Sequence, residues 1–529
     1  MLALLFGAAC AETASSDGSP APEPPGAAAT EAAPGVDAER TTLRVALLHD
    51  PRSLDPRDVL DAEGELVVRA IFDGLVDVAP DGRIVPASAT EWSVEDDGLT
   101  YRFRLRAERF HDGSPVTAAT HAASFAAVLD PDRPPFARED LLASVAAVEV
   151  IAADELLLRL TQPDPMLLHR LTDPVLVPLP QVALRDPDAF ARQPVGNGPF
   201  RMLGPREPGA FIRLGAWDGH PQPPRIDELV LQVTSDDVGG SRRWEDLLAG
   251  RLQIAPVSAD LRDLARERFG RPLDGRRGPG LHEAPLAATY AFGFALDVPP
   301  FDDPMLRRAV SAAIDRAALA RTLAAAGVVP ATAVLPPDIG GVPPDCPHCQ
   351  QDVELALALL GEWRASRPAD APDPTLTVTY PRGDGHVTVA ERVAGDIEQV
   401  LGLEVRLQAR DLGSLVRLVE EGRAPFFRLG LRASFGGEAA GISLLADAFG
   451  TEGSANWVGW SDAEIDALLA GWDPGSSPDV ARAAEQRILD GALVVPLLWT
   501  LPDLVVAPEV GGFHLDSTGR WWPELVHLR

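Results

Sequence analysis

The run that decides the fold is Thr375-Leu-Thr-Val-Thr-Tyr380, Val387 to Leu401, Leu403-Glu-Val-Arg-Leu407, Leu412 to Glu421 and Phe426-Phe-Arg-Leu-Gly-Leu431. Its pattern is strand, helix, strand, helix, strand, with short connections. Parallel neighbours need a crossover, and a helix supplies it, so the run predicts a parallel sheet with right-handed crossovers. Ligands of such sheets bind beyond the carboxyl ends of the strands. The last strand runs into Arg432-Ala-Ser-Phe-Gly-Gly-Glu438, which makes that segment a candidate ligand site.

Upstream, Asp303-Pro304 starts a helix, with aspartate as N-cap and proline at the first helical position. Leu306, Ala309, Val310, Ala313 and Ile314 fall on one face, and Gly327 and Pro330 are read as its end. Nearer the N-terminus, Thr42 to Leu48 reads as a strand and Glu63 to Leu75 as a helix. Leu99 to Arg106 alternates apolar with arginine, the mark of a half-buried antiparallel strand. Val148 and Val150, a turn at Asp154, then Leu156, Leu158 and Leu160 read as a hairpin. The stretch from about Asp61 to Arg185 is therefore expected to be an α+β unit of its own. No internal repeat is visible.

The chain has 529 residues, 78 acidic against 47 basic, for a net charge of −31. It has no lysine; every basic residue is arginine. Such a balance excludes bulk neutralisation of phosphates, and so a nucleic-acid partner, and excludes electrostatic docking on anionic lipid. A Walker motif needs lysine, so no NTPase site exists here. No Gly-x-Ser-x-Gly elbow or catalytic triad is found, and no enzyme activity is expected. Beyond the N-terminus, no run approaches the ~18 consecutive apolar residues of a membrane span.

Met1 to Ala9 are apolar and end at Cys10; a Ser, Pro, Gly, Ala, Glu and Thr linker follows as far as Ala38. This resembles a bacterial lipoprotein signal with Cys10 as the lipidated residue. It departs from one in lacking a basic n-region and in having Gly7 three residues before the cysteine. The other reading is a disordered tail with a chance cysteine.

Several runs are collinear. They are Ile71-Phe-Asp-Gly-Leu75, Pro80-Asp-Gly-Arg-Ile-Val-Pro-Ala87, Glu91-Trp-Ser93, Asp96-Asp-Gly-Leu-Thr-Tyr101 and Phe110-His-Asp-Gly-Ser-Pro-Val116. Later come Pro194-Val-Gly-Asn-Gly-Pro-Phe200, Leu247-Leu-Ala-Gly250, Pro299 to Arg316, Asn456-Trp-Val-Gly-Trp460 and Val495-Pro-Leu497. Together, from Thr42 to Arg529, they resemble the extracytoplasmic solute-binding proteins, family 5, of peptide and nickel ABC importers. The resemblance implies an α/β, periplasmic-binding-protein-like two-lobed clamshell with an additional inserted α+β domain. The expected boundaries are a signal and linker at 1–40, lobe I at 41–60, 186–275 and 496–529, an inserted domain at 61–185, and an α/β lobe at 276–495. It implies a monomer outside the membrane, held there at most by a lipid anchor. That monomer captures a peptide or similar small solute and delivers it to a permease heterodimer with cytoplasmic ATPases. Alternatives are an extracytoplasmic sensor or scavenger of the same fold, or an envelope thiol-disulfide oxidoreductase.

In peptide-binding members a run of similar spacing ends in an aspartate that pairs with the peptide ammonium, three residues after an aromatic. Here Phe435 takes the aromatic position and Glu438 the carboxylate position, with Arg432 as candidate for an anionic group. Glutamate reaches one methylene further, and the family's Asp-Tyr-x-Asp-Pro continuation is replaced by Glu438-Ala-Ala-Gly-Ile442. Tyr290 and Trp457 are weaker pocket candidates, and Glu63 and Glu65 match a family stretch that reaches the cleft. Trp92 and Tyr101 are read as core, and Gly196-Asn197-Gly198 as a tight bend near a hinge or a plain turn. Cys346-Pro-His-Cys349 has the spacing of a redox site, but no thioredoxin-like strand pattern precedes it. It is read as a local disulfide or two free thiols. No cofactor and no metal are expected, since His348 is the one further ligand nearby.

Overall fold

The computed structural model describes residues 41–59, 61–129, 139–237, 239–323, 327–340, 343–437, 439–453, 455–472 and 479–529. Cys10 and Glu438 lie outside the described residues.

The opening run forms the predicted parallel set. Strand Leu376–Pro381 pairs parallel with Val405–Arg410 on one side and with Phe426–Arg432 on the other. Antiparallel Ala288–Phe294, Val494–Thr500 and Val328–Pro330 extend it to six strands. Alternation along Ala288–Phe294 splits the packing between two faces. Tyr290, Phe292 and Phe294 face one apolar cluster under helices Pro304–Ala313, Val353–Ala365 and Asp384–Leu401. Ala291 faces another, under Leu412–Glu420, Ala439–Phe449 and Asp479–Asp490. This is a sheet covered on both sides, as parallel strands require.

A second, seven-stranded sheet is built around Thr42–Leu47, which pairs parallel with Glu228–Val233 and Ile254–Pro256. Leu504–Val506 and Gly280–His282 complete one side of it. A four-stranded antiparallel sheet, Ala89–Glu95, Thr100–Leu105, Glu155–Leu160 and Val145–Ala152, belongs to the inserted unit. The chain is thus α/β and two-lobed, with the inserted unit attached to the first lobe. It passes from the first lobe to the second between His282 and Ala288, and returns between Thr500 and Leu504. Arg262 grips the return through Asp503, with nitrogens 2.6 and 2.7 Å from the carboxylate. Asp503 itself has φ 43°, a conformation that this clamp holds in place.

Four boundaries differ from the sequence reading. Gly280–His282 pairs in the first lobe's sheet, so the crossing comes after residue 282 rather than at 275. Val494–Thr500 lies wholly in the second lobe's sheet, so the return comes after 500 rather than at 495. Pro496 lies inside that strand. It sits at a register shift, where Tyr290 pairs with Leu498 and Ala291 with Pro496, a place where a missing N–H is tolerated. Helix Ala62–Ile71, capped by Asp61 on the Gly64 N–H at 2.7 Å, buries Val67, Val68, Ala70 and Ile71 in the first lobe's core. Val177, Leu179 and Ala183 join that core as well. The inserted unit's own core runs from Leu75 to Leu176, inside the expected 61–185.

The helix expected from Asp303 to Gly327 is two. Asp303 caps Pro304–Ala313 on the Met305 N–H at 2.8 Å. Asp315 then caps Arg316–Thr322 on the Ala318 N–H at 2.8 Å, so a second start signal interrupts the pattern.

Candidate functional site

Strand Phe426–Arg432 delivers the segment Arg432–Gly437 to the place where all three parts of the molecule meet. The Arg432 side chain is half-buried, with Nη2 3.4 Å from the Thr518 carbonyl oxygen. The Ala433 N–H donates to Ala287 at 2.8 Å, and Ser434 Oγ to Asp447 at 2.9 Å. Phe435 is buried, its ring centroid 5.8 Å from that of His169 in the inserted unit. The two glycines explain themselves. A Cβ on Gly436 would lie 2.3 Å from Asp516 Oδ2. A Cβ on Gly437, whose φ is +64°, would lie 2.3 Å from the Gly82 Cα. Gly82 lies in the turn between strands Val76–Val78 and Ile84–Pro86. Asp516 is fixed in turn by Thr518 N–H and O–H and by the Arg520 N–H, at 2.8 to 2.9 Å.

Beside this junction lies a polar chamber between helix Ala62–Ile71, the inserted unit and the C-terminal tail. It holds a cavity of about 20 Å³ lined by Arg69, Asp73, Asp77, Thr172 and Arg520, among others. That is room for about one water. Glu65 is engaged there: it pairs with Arg69 at 2.8 Å, and Arg69 Nη1 donates to the Thr172 carbonyl at 2.8 Å. Arg520 donates to both Asp77 oxygens at 2.8 Å. Burial pushes the Glu524 carboxyl up to about 7, with Asp77 adding to the rise. Glu63 is half-buried in the first turn of the same helix, and burial raises its carboxyl. Asp61 adds to that rise, and His49 opposes it.

The other expected residues sit elsewhere. Tyr290 is in the second lobe's core rather than at the junction, because its strand turns it toward Phe292 and Phe294. Its hydroxyl meets His386 Nδ1 at 2.9 Å, and the Arg428 guanidinium lies 4.8 Å from its ring centre. Burial pushes the phenol up to about 12 and His386 down to about 4. Trp457 is half-buried against the second lobe's other cluster, which also contains Phe435 and Trp472. Cys346 and Cys349 form a disulfide. His348 Nε2 is 3.5 Å from Cys346 Sγ, so three potential metal ligands stand together; the disulfide, however, occupies both sulfurs. The α-helix Val353–Ala365 begins only after the pair, and Cys346 caps no more than the short 3-10 turn Pro347–Cys349.

The Gly-Asn-Gly bend is a junction too. Cβ atoms at Gly196 and Gly198 would lie 2.1 Å from the Ile71 oxygen and 2.6 Å from its carbonyl carbon. Asn197 accepts from the Asp73 N–H at 3.1 Å and donates to the Asp73 carbonyl and to Glu108 at 3.2 Å. Asp73 also holds Arg106 at 2.7 Å and His220 at 2.9 Å. Burial lowers His220, but its bond to Asp73 and that charge outweigh it and leave a net rise. His111 bonds the Gly198 oxygen at 3.0 Å, a structural role, with burial holding it at about 4.

Sequence reasoning missed His169, Met166, Trp472, Gly82 and Asp516. Only the adjacent glycines 436 and 437 signalled a close backbone approach.

Two lobes joined by two crossing segments, with a loop at the carboxyl ends of the parallel strands facing the opposite lobe, define a binding protein of the clamshell class. The chain belongs to a family of that class: residues 83–479 match the bacterial extracellular solute-binding proteins, family 5. It is a substrate-binding component and lies outside the cytoplasm. The glutathione-binding protein GsiB of Escherichia coli (strain K12) is 26% identical over 496 residues, covering 89% of this chain and 90% of the relative. That of Salmonella typhimurium is 26% identical over 487 residues, with the same coverage. The fold is shared with HbpA2 of Haemophilus parasuis (TM-score 0.75, 20% identity, 92% of this chain and 100% of that one). It is shared also with DppA of Helicobacter pylori in complex with the peptide STSA (TM-score 0.71, 19% identity, 92% and 98%). Among the described residues no helix is long and apolar enough to cross a membrane.

Proposed function

We propose that this substrate-binding component serves an ABC importer, capturing a short peptide or a glutathione-like solute and handing it to a permease pair driven by ATPases. The observation that carries this reading is the position of Arg432–Gly437, at the strand ends and against the opposite lobe. Glu438, the next residue, is the proposed partner of a ligand ammonium, and Arg432 of a carboxylate; one cation and one anion are what every peptide offers. Water in the remaining space suits variable side chains. Phe435 supplies an apolar wall, and Glu63 and Glu65 border the site from the first lobe. Domains are proposed as lobe I, an inserted unit and an α/β lobe, the protein acting as a monomer held by a lipid on Cys10. The relatives named for glutathione and the neighbour solved with a peptide support this substrate class.

A thermal-shift screen of glutathione, dipeptides and tripeptides tests it. At least one should raise the melting temperature of wild type and not that of Glu438→Ala. A screen in which no peptide shifts wild type, while another solute class does, would replace the substrate assignment.

A further inference from the structure

We infer that the inserted unit is a working part of lobe closure: the Met166–His169 turn and the Gly82 turn form the seat on which the ligand segment Phe435–Gly437 lands. This rests on the reading of that segment as ligand-binding.

The turn faces two ways. Leu167 and Leu171 are buried in the inserted unit's own core. Met166, one residue away, is buried instead in the second lobe's cluster with Phe435 and Trp472. His169 follows it to the same side, with ring centroids 5.8 Å from Phe435 and 5.9 Å from Trp472. Only 4% of His169 is exposed, and its Nδ1 has no hydrogen-bond partner among the described residues. Gly82 and Gly437 touch backbone to backbone beside it. A seat of this kind forms when the lobes meet and is lost when they part.

Histidine there gives the contact a pH dependence. Burial alone pulls its imidazole down to about 4; no charged neighbour enters. The charges on the packed elements are engaged elsewhere. Arg170 pairs with Asp164, and Asp173 accepts from the Val175 N–H. Arg432 meets the Thr518 carbonyl, Asp447 accepts from Ser434, and Asp466 accepts from Thr451. With the lobes apart the ring meets water, where a histidine titrates near ~6.5. Between these values the open arrangement binds the extra proton, so acid favours opening, by about 30-fold at pH 5. Of the other histidines lowered by burial, His111, His282, His348 and His386 have their partners within one half of the molecule, and His121 is buried within the inserted unit.

The test is double electron–electron resonance between labels on Thr90→Cys and Glu354→Cys in a Cys10→Ser background, without ligand, at pH 7.5 and 5.0. Wild type should show the short distance at pH 7.5 and a dominant longer one at pH 5.0. His169→Phe, which keeps the ring packing, should keep the short distance at both; His169→Gln serves if the phenylalanine variant does not fold. His169→Ala should show the longer distance even at pH 7.5. The inference is overturned if wild type does not change with pH, if the non-titrating variant opens as wild type does, or if His169→Ala is as closed as wild type. Because no ligand is added, these outcomes are independent of whether Glu438→Ala weakens binding.

Discussion

Gly196 and Gly198 show how one atom decides a position. Their backbone lies on the end of helix Ala62–Ile71, and a methyl at either would overlap the Ile71 carbonyl. Gly198→Ala should therefore cost roughly 2–3 kcal/mol, read as a lower urea midpoint with an unchanged slope. His121 is the opposite case. It is fully buried in the inserted unit, and neither ring nitrogen has a hydrogen-bond partner among the described residues. Burial holds it at about 3, against ~6.5 when unfolded. Between those values the unfolded chain binds the proton and the folded one does not, so stability falls as pH drops below ~6.5. His121→Leu should raise the melting temperature at pH 7 and flatten its fall between pH 6.5 and 4. A variant as acid-sensitive as wild type would remove His121 from that slope. Sequence alone placed neither effect. A histidine on an apolar helix face looks the same whether it is partnered or not, and a Gly-x-Gly bend does not say what it touches.

Elements were legible where local chemistry decides them. The strands and helices of Thr375–Leu431 form as read, and Asp411 caps Leu412–Glu420 on the Ser414 N–H at 2.9 Å. Legibility failed where a neighbour decides. Helix Ala62–Ile71 was assigned to the inserted unit by proximity in sequence, while its apolar face packs on the first lobe. The return crossing is expected at 495 rather than after Thr500, because a strand running through Pro496 past the bulge opposite Tyr290 and Ala291 cannot be read from its own sequence. Asp315 was hidden inside a continuing apolar pattern. Asp315→Ala should lose about 1 kcal/mol with the loss of its bond to the Ala318 N–H, measured by chemical denaturation. The disulfide closes a loop so short that chain entropy gives it only ~2 kcal/mol. Replacing both cysteines by serine should lower the melting temperature by a few degrees and leave ligand affinity unchanged.

At the scale of the molecule, the two crossings between His282 and Ala288 and between Thr500 and Leu504 make the lobes separable. The charge of −31 keeps such a body soluble and off anionic surfaces. Two sequence arguments point to the candidate segment, strand direction and the resemblance. Neither points to its partners across the junction, since His169 lies more than 260 residues before the segment and Asp516 about 80 after it. The central claim is that this segment anchors a peptide-like ligand between the lobes. The most direct measurement is isothermal titration calorimetry of the best ligand from the glutathione and peptide screen, on wild type, Glu438→Ala and Arg432→Ala. The account predicts saturable one-to-one binding to wild type, weakened roughly tenfold or more in Glu438→Ala and less in Arg432→Ala. Equal affinity in wild type and Glu438→Ala would contradict it.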